Sequence, residues 1–146
     1  MGKRQGIMTA LKTQLGNISI ANGYNTDIGT TVDEWHVASY DVDDLPVIEV
    51  RDSDSSAEED MNNVLSNKNL DIAIVVYNSV SSAAATNARL YIEDVLKAIS
   101  TDLTLGGNTD DINEGISSID AAQESDIILA ATVNISAKYQ VNKWSD

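Results

Sequence analysis

Apolar residues recur along this chain at helical spacing in two places and at strict alternation in several others. Ile7, Leu11 and Leu15 stand four apart with Met8 beside them, which predicts a helix over residues 3–16 with one apolar stripe. Gly16 or Asn17 ends it. Asn22-Gly23 marks a turn, and a strand is expected within residues 24–29. Residues 32–40 read as a half-exposed strand, with Trp35 and Val37 facing inward and Glu34 and His36 outward. Pro46 opens a short strand through Arg51, a first position where no ladder donor is needed. Residues 52–68 read as an acidic loop with a helical turn near 60–65. Leu70, Ile72, Ile74 and Val76 then alternate with Asp71, Ala73, Val75 and Tyr77. Both sets are fairly apolar, so this strand is expected to be central and covered on both faces.

Ala85, Ala88, Ile92, Val95, Leu96 and Ile99 follow helical spacing and predict a helix over residues 84–100, capped by Ser81 or Ser82. Gly106-Gly107 marks a loop. Ile112, Ile116 and Ile119 fit either an edge strand or a turn of helix. Leu129, Ala131, Val133, Ile135, Ala137 and Tyr139 alternate with polar residues, which predicts one long closing strand with a polar face. The order predicts a single α+β domain over residues 1–146: a mostly antiparallel sheet of about four to five strands with helices packed on one face.

Composition narrows what such a layer can do. Phe is absent, and five Tyr and two Trp are the only aromatics among 146 residues, so Ile, Val, Leu and Ala must build the core. A chain of this length buries roughly 70% of its unfolded surface. The net charge is −14, with nine bases and no basic cluster beyond Lys3-Arg4. Direct gripping of DNA or RNA needs such a cluster and is not expected. With no Cys there is no disulfide or thiol chemistry. Neither an apolar leader nor a run of 18 apolar residues is present, so no export signal or membrane span is expected.

Residues 41–60 hold nine acids and one base, a net −8. A calcium loop starting at Asp52 would need Gly at its sixth position and Glu at its twelfth; Ala57 and Asn63 stand there. A solvated loop is the favoured reading, with a loop that docks on a partner or repels DNA beside it. His36 is the one imidazole and is expected to face solvent. Glu93-Asp94 and Glu58-Glu59 diverge as neighbouring acids do and read as solvated faces. No cofactor fingerprint, metal-ligand spacing or catalytic constellation is found. Trp144 lies outside the regular pattern and either anchors a contact or folds back on its own domain.

The order of these features resembles the tail terminator (tail completion) proteins of long-tailed bacteriophages. The likeness rests on the leading helix, on Asn22-Gly23-Tyr24 with Thr26-Asp27, and on the strand Leu45-Pro46-Val47-Ile48-Glu49-Val50. The acidic segment, the strand of residues 70–77, the Ala-rich helix and the closing strand near Tyr139 complete it. The resemblance implies a virion protein without catalytic, cofactor or metal residues. It implies a ring, commonly a hexamer of the chain itself, at the head-proximal end of the tail, assembled in the host cytoplasm. Its partners would be the major tail tube protein and a head-side connector or neck protein, and DNA would pass through the ring without specific binding. Asp52, Asp54, Glu58, Glu59, Asp60, Trp35 and Trp144 are the candidate interface or lumen-facing residues. Residues 101–126 carry no family signature. The alternatives are another neck or minor tail protein, a small metal-dependent hydrolase using Asp52, Asp54, Glu58 and His36, and an acidic mimic of DNA.

Overall fold

A computed structural model describes residues 2–36, 39–59, 64–123 and 127–146, with only the backbone of Asp54, Glu59 and Gln123. Helix α1 (Lys3–Gly16) leads, followed by strands β1 (Val32–Glu34), β2 (Val47–Glu59) and β3 (Leu65–Val80). Helix α2 (Ala84–Ser100) and strands β4 (Asp111–Gln123) and β5 (Ile127–Asn142) complete the fold. The five strands form one sheet in the order β1-β2-β3-β5-β4, antiparallel except for the β1–β2 pair.

The expected α+β layer is present. β3 and β5 run unbroken against each other from Leu65–Asn142 to Val80–Ile127. One face of that pair is apolar along its middle: Leu70, Ile72, Ile74 and Val76 beside Leu129, Ala131, Val133, Ile135, Ala137 and Tyr139, all buried. Helix α1 adds Ile7, Met8, Leu11 and Leu15 to the same core, and α2 adds Ala88, Tyr91, Val95, Ala98 and Ile99. Each Val, Leu, Ile or Met side chain among them taken fully out of water contributes about 1.5–3 kcal/mol, so this shared layer holds both helices on one side. On the other face Ala73, Val75 and Tyr77 are only half-buried and Asp71 is exposed, so β3 is central but covered in full on one face alone.

Several local expectations are corrected. No strand forms in residues 24–29. The amides of Asn25 and Thr26 donate to the Asp94 carboxylate instead of a ladder, and Ile28–Thr30 is a 3-10 turn. Asp94 is therefore no solvated acid but fully buried. Neither Ser81 nor Ser82 caps α2; Ala83 precedes it in a left-handed conformation (φ 54°) without a side-chain cap. β1 stops at Glu34, because Trp35 turns to φ 52° and leaves the strand. The remainder of the expected 32–40 strand is not one in its described part, and Val37 lies outside the described residues.

The largest correction concerns the acidic segment. It is no loop: β2 runs through Glu59 and β3 starts at Leu65, while residues 60–63 lie outside the described residues. Asp, Glu and Ser are poor strand formers on their own. Here the partner strand decides, with Ala57 opposite Lys68 and Glu58 opposite Asn67. β4 resolves the ambiguous segment as an edge strand.

Two bulges flank the central pair. Ser53 and Asp54 together face Asp71, and Gly115 and Ile116 together face Asn134. Such extra residues bend and twist a sheet. The floor between them is a shallow cleft lined by Ser53, Asp71, Gly115, Asn134 and Ser136.

Candidate protein-interface site

Arg4, in the first turn of α1, lies over the helix-side face of β2 and donates from Nε to Asp52 at 2.6 Å. Asp52 shares that face because it pairs with Ile72. The indole Nε1 of Trp35 donates to the other Asp52 oxygen at 2.8 Å. Arg4 also approaches the Asp146 carboxylate at 3.7 Å. Asp146 accepts from the Tyr139 hydroxyl at 2.6 Å and from Lys68 Nζ at 3.2 Å. A chain of charge-assisted contacts thus runs from Trp35 through Asp52, Arg4 and Asp146 to Tyr139. It opens on a cleft of about 370 Å³ lined by Gly2, Gln5, Met8 and Glu34 as well.

Burial works against ionisation of Asp52, but the Trp35 and Arg4 hydrogen bonds outweigh it and hold the carboxyl below the usual range. Asp146 follows the same pattern, with Tyr139 and Lys68 outweighing burial. Tyr139 is pushed up to about 12, first by burial and then by the Asp146 carboxylate it serves.

The two tryptophans are held differently. The Trp35 ring lies against Arg51, whose guanidinium carbon sits 5.2 Å from the ring centre. Its indole nitrogen meanwhile holds Asp52, on the opposite face of β2 from Arg51, so Trp35 wraps the edge of β2 just beyond β1. It is 48% exposed, against the expectation that it faces inward. Trp144 has a left-handed backbone (φ 64°) and is 92% exposed. It is held there from both sides: Lys143 donates its amide to Val64 at 2.9 Å, and Ser145 donates to Asn142 at 3.0 Å. Of the two readings for Trp144, folding back on the domain does not occur.

The other candidates scatter. Glu58 stands exposed on the far part of β2, beside a cleft shared with Lys68, Lys138 and Asp110. The side chains of Asp54 and Glu59, and Asp60 altogether, lie outside the described residues. His36 is half-buried rather than open to solvent; its ring stacks on Tyr40 with centres 4.1 Å apart. Arg51 donates to the His36 carbonyl at 2.8 Å and to Glu49 at 2.6 Å, and these residues with Tyr77 line a cleft on the face away from the helices. Burial, with Asp33 and Glu49 nearby, pushes the Tyr40 hydroxyl far above its ordinary value. Asp52 and His36 therefore lie on opposite faces of the sheet, so these two of the residues weighed for a hydrolase do not converge. Among the described residues no three His, Asp or Glu side chains are grouped to hold a metal ion.

Sequence reasoning missed Arg4, Tyr139 and Asp146. Tyr139 carried a signal: it sits on the apolar side of the closing strand, where its hydroxyl must find a partner. Nothing in the sequence pointed to Arg4 or Asp146.

The edges of the sheet are the other feature open to partners. Among the described residues β1 covers β2 only from Ile48 to Val50 and Trp35 covers the next step, which leaves the edge of β2 open beyond Asp52. Among the described residues β4 hydrogen-bonds only to β5 and is exposed along nearly its whole length, with Ile116 77% and Ile119 43% accessible.

No protein-family model matches the chain, and no curated protein matches it in sequence.

Proposed function

We propose that this chain is a structural protein of a long-tailed phage virion, a tail terminator whose copies join edge to edge into a ring. The ring, a hexamer by family resemblance, would sit at the head-proximal end of the tail tube. It would end tube growth and present its upper surface to a head-side connector. All of its work is protein–protein contact, and no residue acts as a catalyst.

One observation carries this reading. The sheet is open at both sides, and its open strands run in opposite directions, since each of the pairs β2–β3, β3–β5 and β5–β4 is antiparallel. β4 of one copy laid beside β2 of the next therefore continues an antiparallel ladder. Such a head-to-tail contact closes into a ring when the rotation allows. The acids support the same reading. β4 holds Asp111, Glu114 and Asp120 and no base, and β2 beyond Arg51 holds Asp52, Asp54, Glu58 and Glu59. A wall of that sign lets a polyanion slide through without sticking. Like charges at the joint also disfavour closure in free solution, so the tube end would act as template.

The test is purified protein mixed with tail tubes of its phage, followed by light scattering and electron microscopy. Rings at one end of each tube are expected. Tubes whose ends stay bare, with the chain free in solution, overturn the proposal.

A further inference from the structure

We infer that in free solution the open edge of β4 pairs with the same edge of a second copy, antiparallel, about a twofold axis at Ile119. Apart from its three acids and one bulge, β4 lacks the usual protections of an edge strand: residues 111–123 contain no Lys, Arg or Pro, and among the described residues no element covers residues 113–122. The bulge at Gly115–Ile116 bends only the start of that stretch, leaving residues 117–123 in regular register with β5. Ile119, on the helix-side face because it pairs with Ala131, is left 43% exposed beyond the reach of the helices.

Symmetry and charge select the register. A twofold axis perpendicular to a sheet keeps each residue on its own face, so the axis must fall on a residue, which then meets its own copy. An axis at Asp120 sets two carboxylates opposite each other, and an axis at Ser118 sets Asp120 against Ile116. An axis at Ile119 sets Ile119 against Ile119, with Ser117 against Ala121 on the same face. On the other face it sets Ser118 against Asp120, where the hydroxyl donates to the carboxylate, and Ile116 against Ala122. No acid meets an acid within residues 116–122. The open edge of β2 is a worse occupant in free solution, because it brings Asp54, Glu58 and Glu59 toward Glu114 and Asp120. The pair forms one continuous sheet with five strands from each copy. A contact one strand wide is smaller than standard stable interfaces, so the association is weak and reversible.

The pair stands apart from the ring reading; only its consequence rests on that reading. It occupies an edge that a ring would need, so it holds free copies off assembly until a tube end displaces it.

The chain has no Cys, so Ile119→Cys introduces a single thiol. On the axis its Cα lies about 4.5–5.5 Å from its copy, within disulfide reach. Mild oxidation is expected to link Ile119→Cys into dimers at least about tenfold faster than Ser118→Cys, whose copy stands diagonally about 7–8 Å away. Sedimentation equilibrium is expected to show Ile119→Lys monomeric, whereas Ser118→Lys, facing Asp120 of the second copy, still dimerises. Circular dichroism of these surface variants checks the fold. A wild-type chain that stays monomeric up to about 1 mM, or a dimer that Ile119→Lys leaves intact, overturns the pairing. Bare tube ends with the dimer intact remove the ring reading alone, and a monomer that still caps tubes removes the pairing alone.

Discussion

Thr26 donates its hydroxyl to the carboxylate of Asp94 at 2.6 Å, and the same group accepts the amides of Asn25 and Thr26 at 3.0 and 2.9 Å. Asp94 is fully buried, so it is the peg that fastens the segment after α1 to α2. Asp94→Ala leaves three donors without an acceptor. It is expected to cost about 2–4 kcal/mol, read as a lower urea midpoint. Asp94→Asn keeps one acceptor oxygen and should cost less. An unchanged midpoint for Asp94→Ala would mean that the loop re-bonds to water at no loss.

The parts of the fold that were legible are those where burial follows a strict period. The alternation from Leu129 to Tyr139 and the stripe through Ala88, Val95 and Ile99 both mark buried faces. Asp94 was legible in principle, since it lies three residues from Tyr91 and four from Ala98 on the buried side of α2. The β2–β3 hairpin was not legible. Its strand character comes from pairing with residues 66–70, and Ser, Asp and Glu alone point to a loop. Arg4 and Asp52 stand 48 residues apart, and no local pattern links them. Among the described interface candidates, Trp35 and Asp52 are the pair that touch.

Tyr139 offers a spectroscopic check on the charged chain. Its hydroxyl is pushed up to about 12 by burial and by Asp146, so the fold favours the protonated phenol. That contribution is complete below the ordinary tyrosine value of about 10 and is lost as the pH rises through about 12. Tyrosinate absorbance should therefore show Tyr139 among the late-titrating tyrosines, beside Tyr40. Asp146→Asn should bring Tyr139 alone down, though burial keeps it above the ordinary tyrosine value. A titration curve that the substitution does not move would detach Tyr139 from Asp146.

At the acid end the sign reverses. Burial opposes the charge on Asp52 and Asp146, but their partners outweigh it and hold both carboxyls below the usual range. Their contribution is present above the ordinary Asp value of about 3.9 and is lost as the pH falls through the depressed folded values. The double variant Asp52→Asn, Asp146→Asn should be less stable than wild type near neutrality and decline less steeply below about pH 4. Urea midpoints across that range decide it. Parallel declines would place the acid sensitivity elsewhere among the carboxylates.

Gly115 is where the edge strand is most constrained. A Cβ at this position would stand 2.8 Å from the Asn134 carbonyl oxygen of β5. Asn134 in turn donates its side-chain amide to the Ile116 carbonyl at 2.9 Å, which ties the bulge to β5. Neither backbone can retreat without opening the β4–β5 pair. Gly115→Ala is therefore expected to cost about 1–3 kcal/mol of overpacking strain, and Asn134→Ala about 1 kcal/mol for the lost bond. The damage should be local, because β4 is held by one neighbour while β3 lies between two. Hydrogen exchange is expected to quicken at residues 116–122 in both variants and to stay unchanged at residues 72–76. Equal acceleration in β3 would mean that the bulge supports the whole sheet rather than its outermost strand.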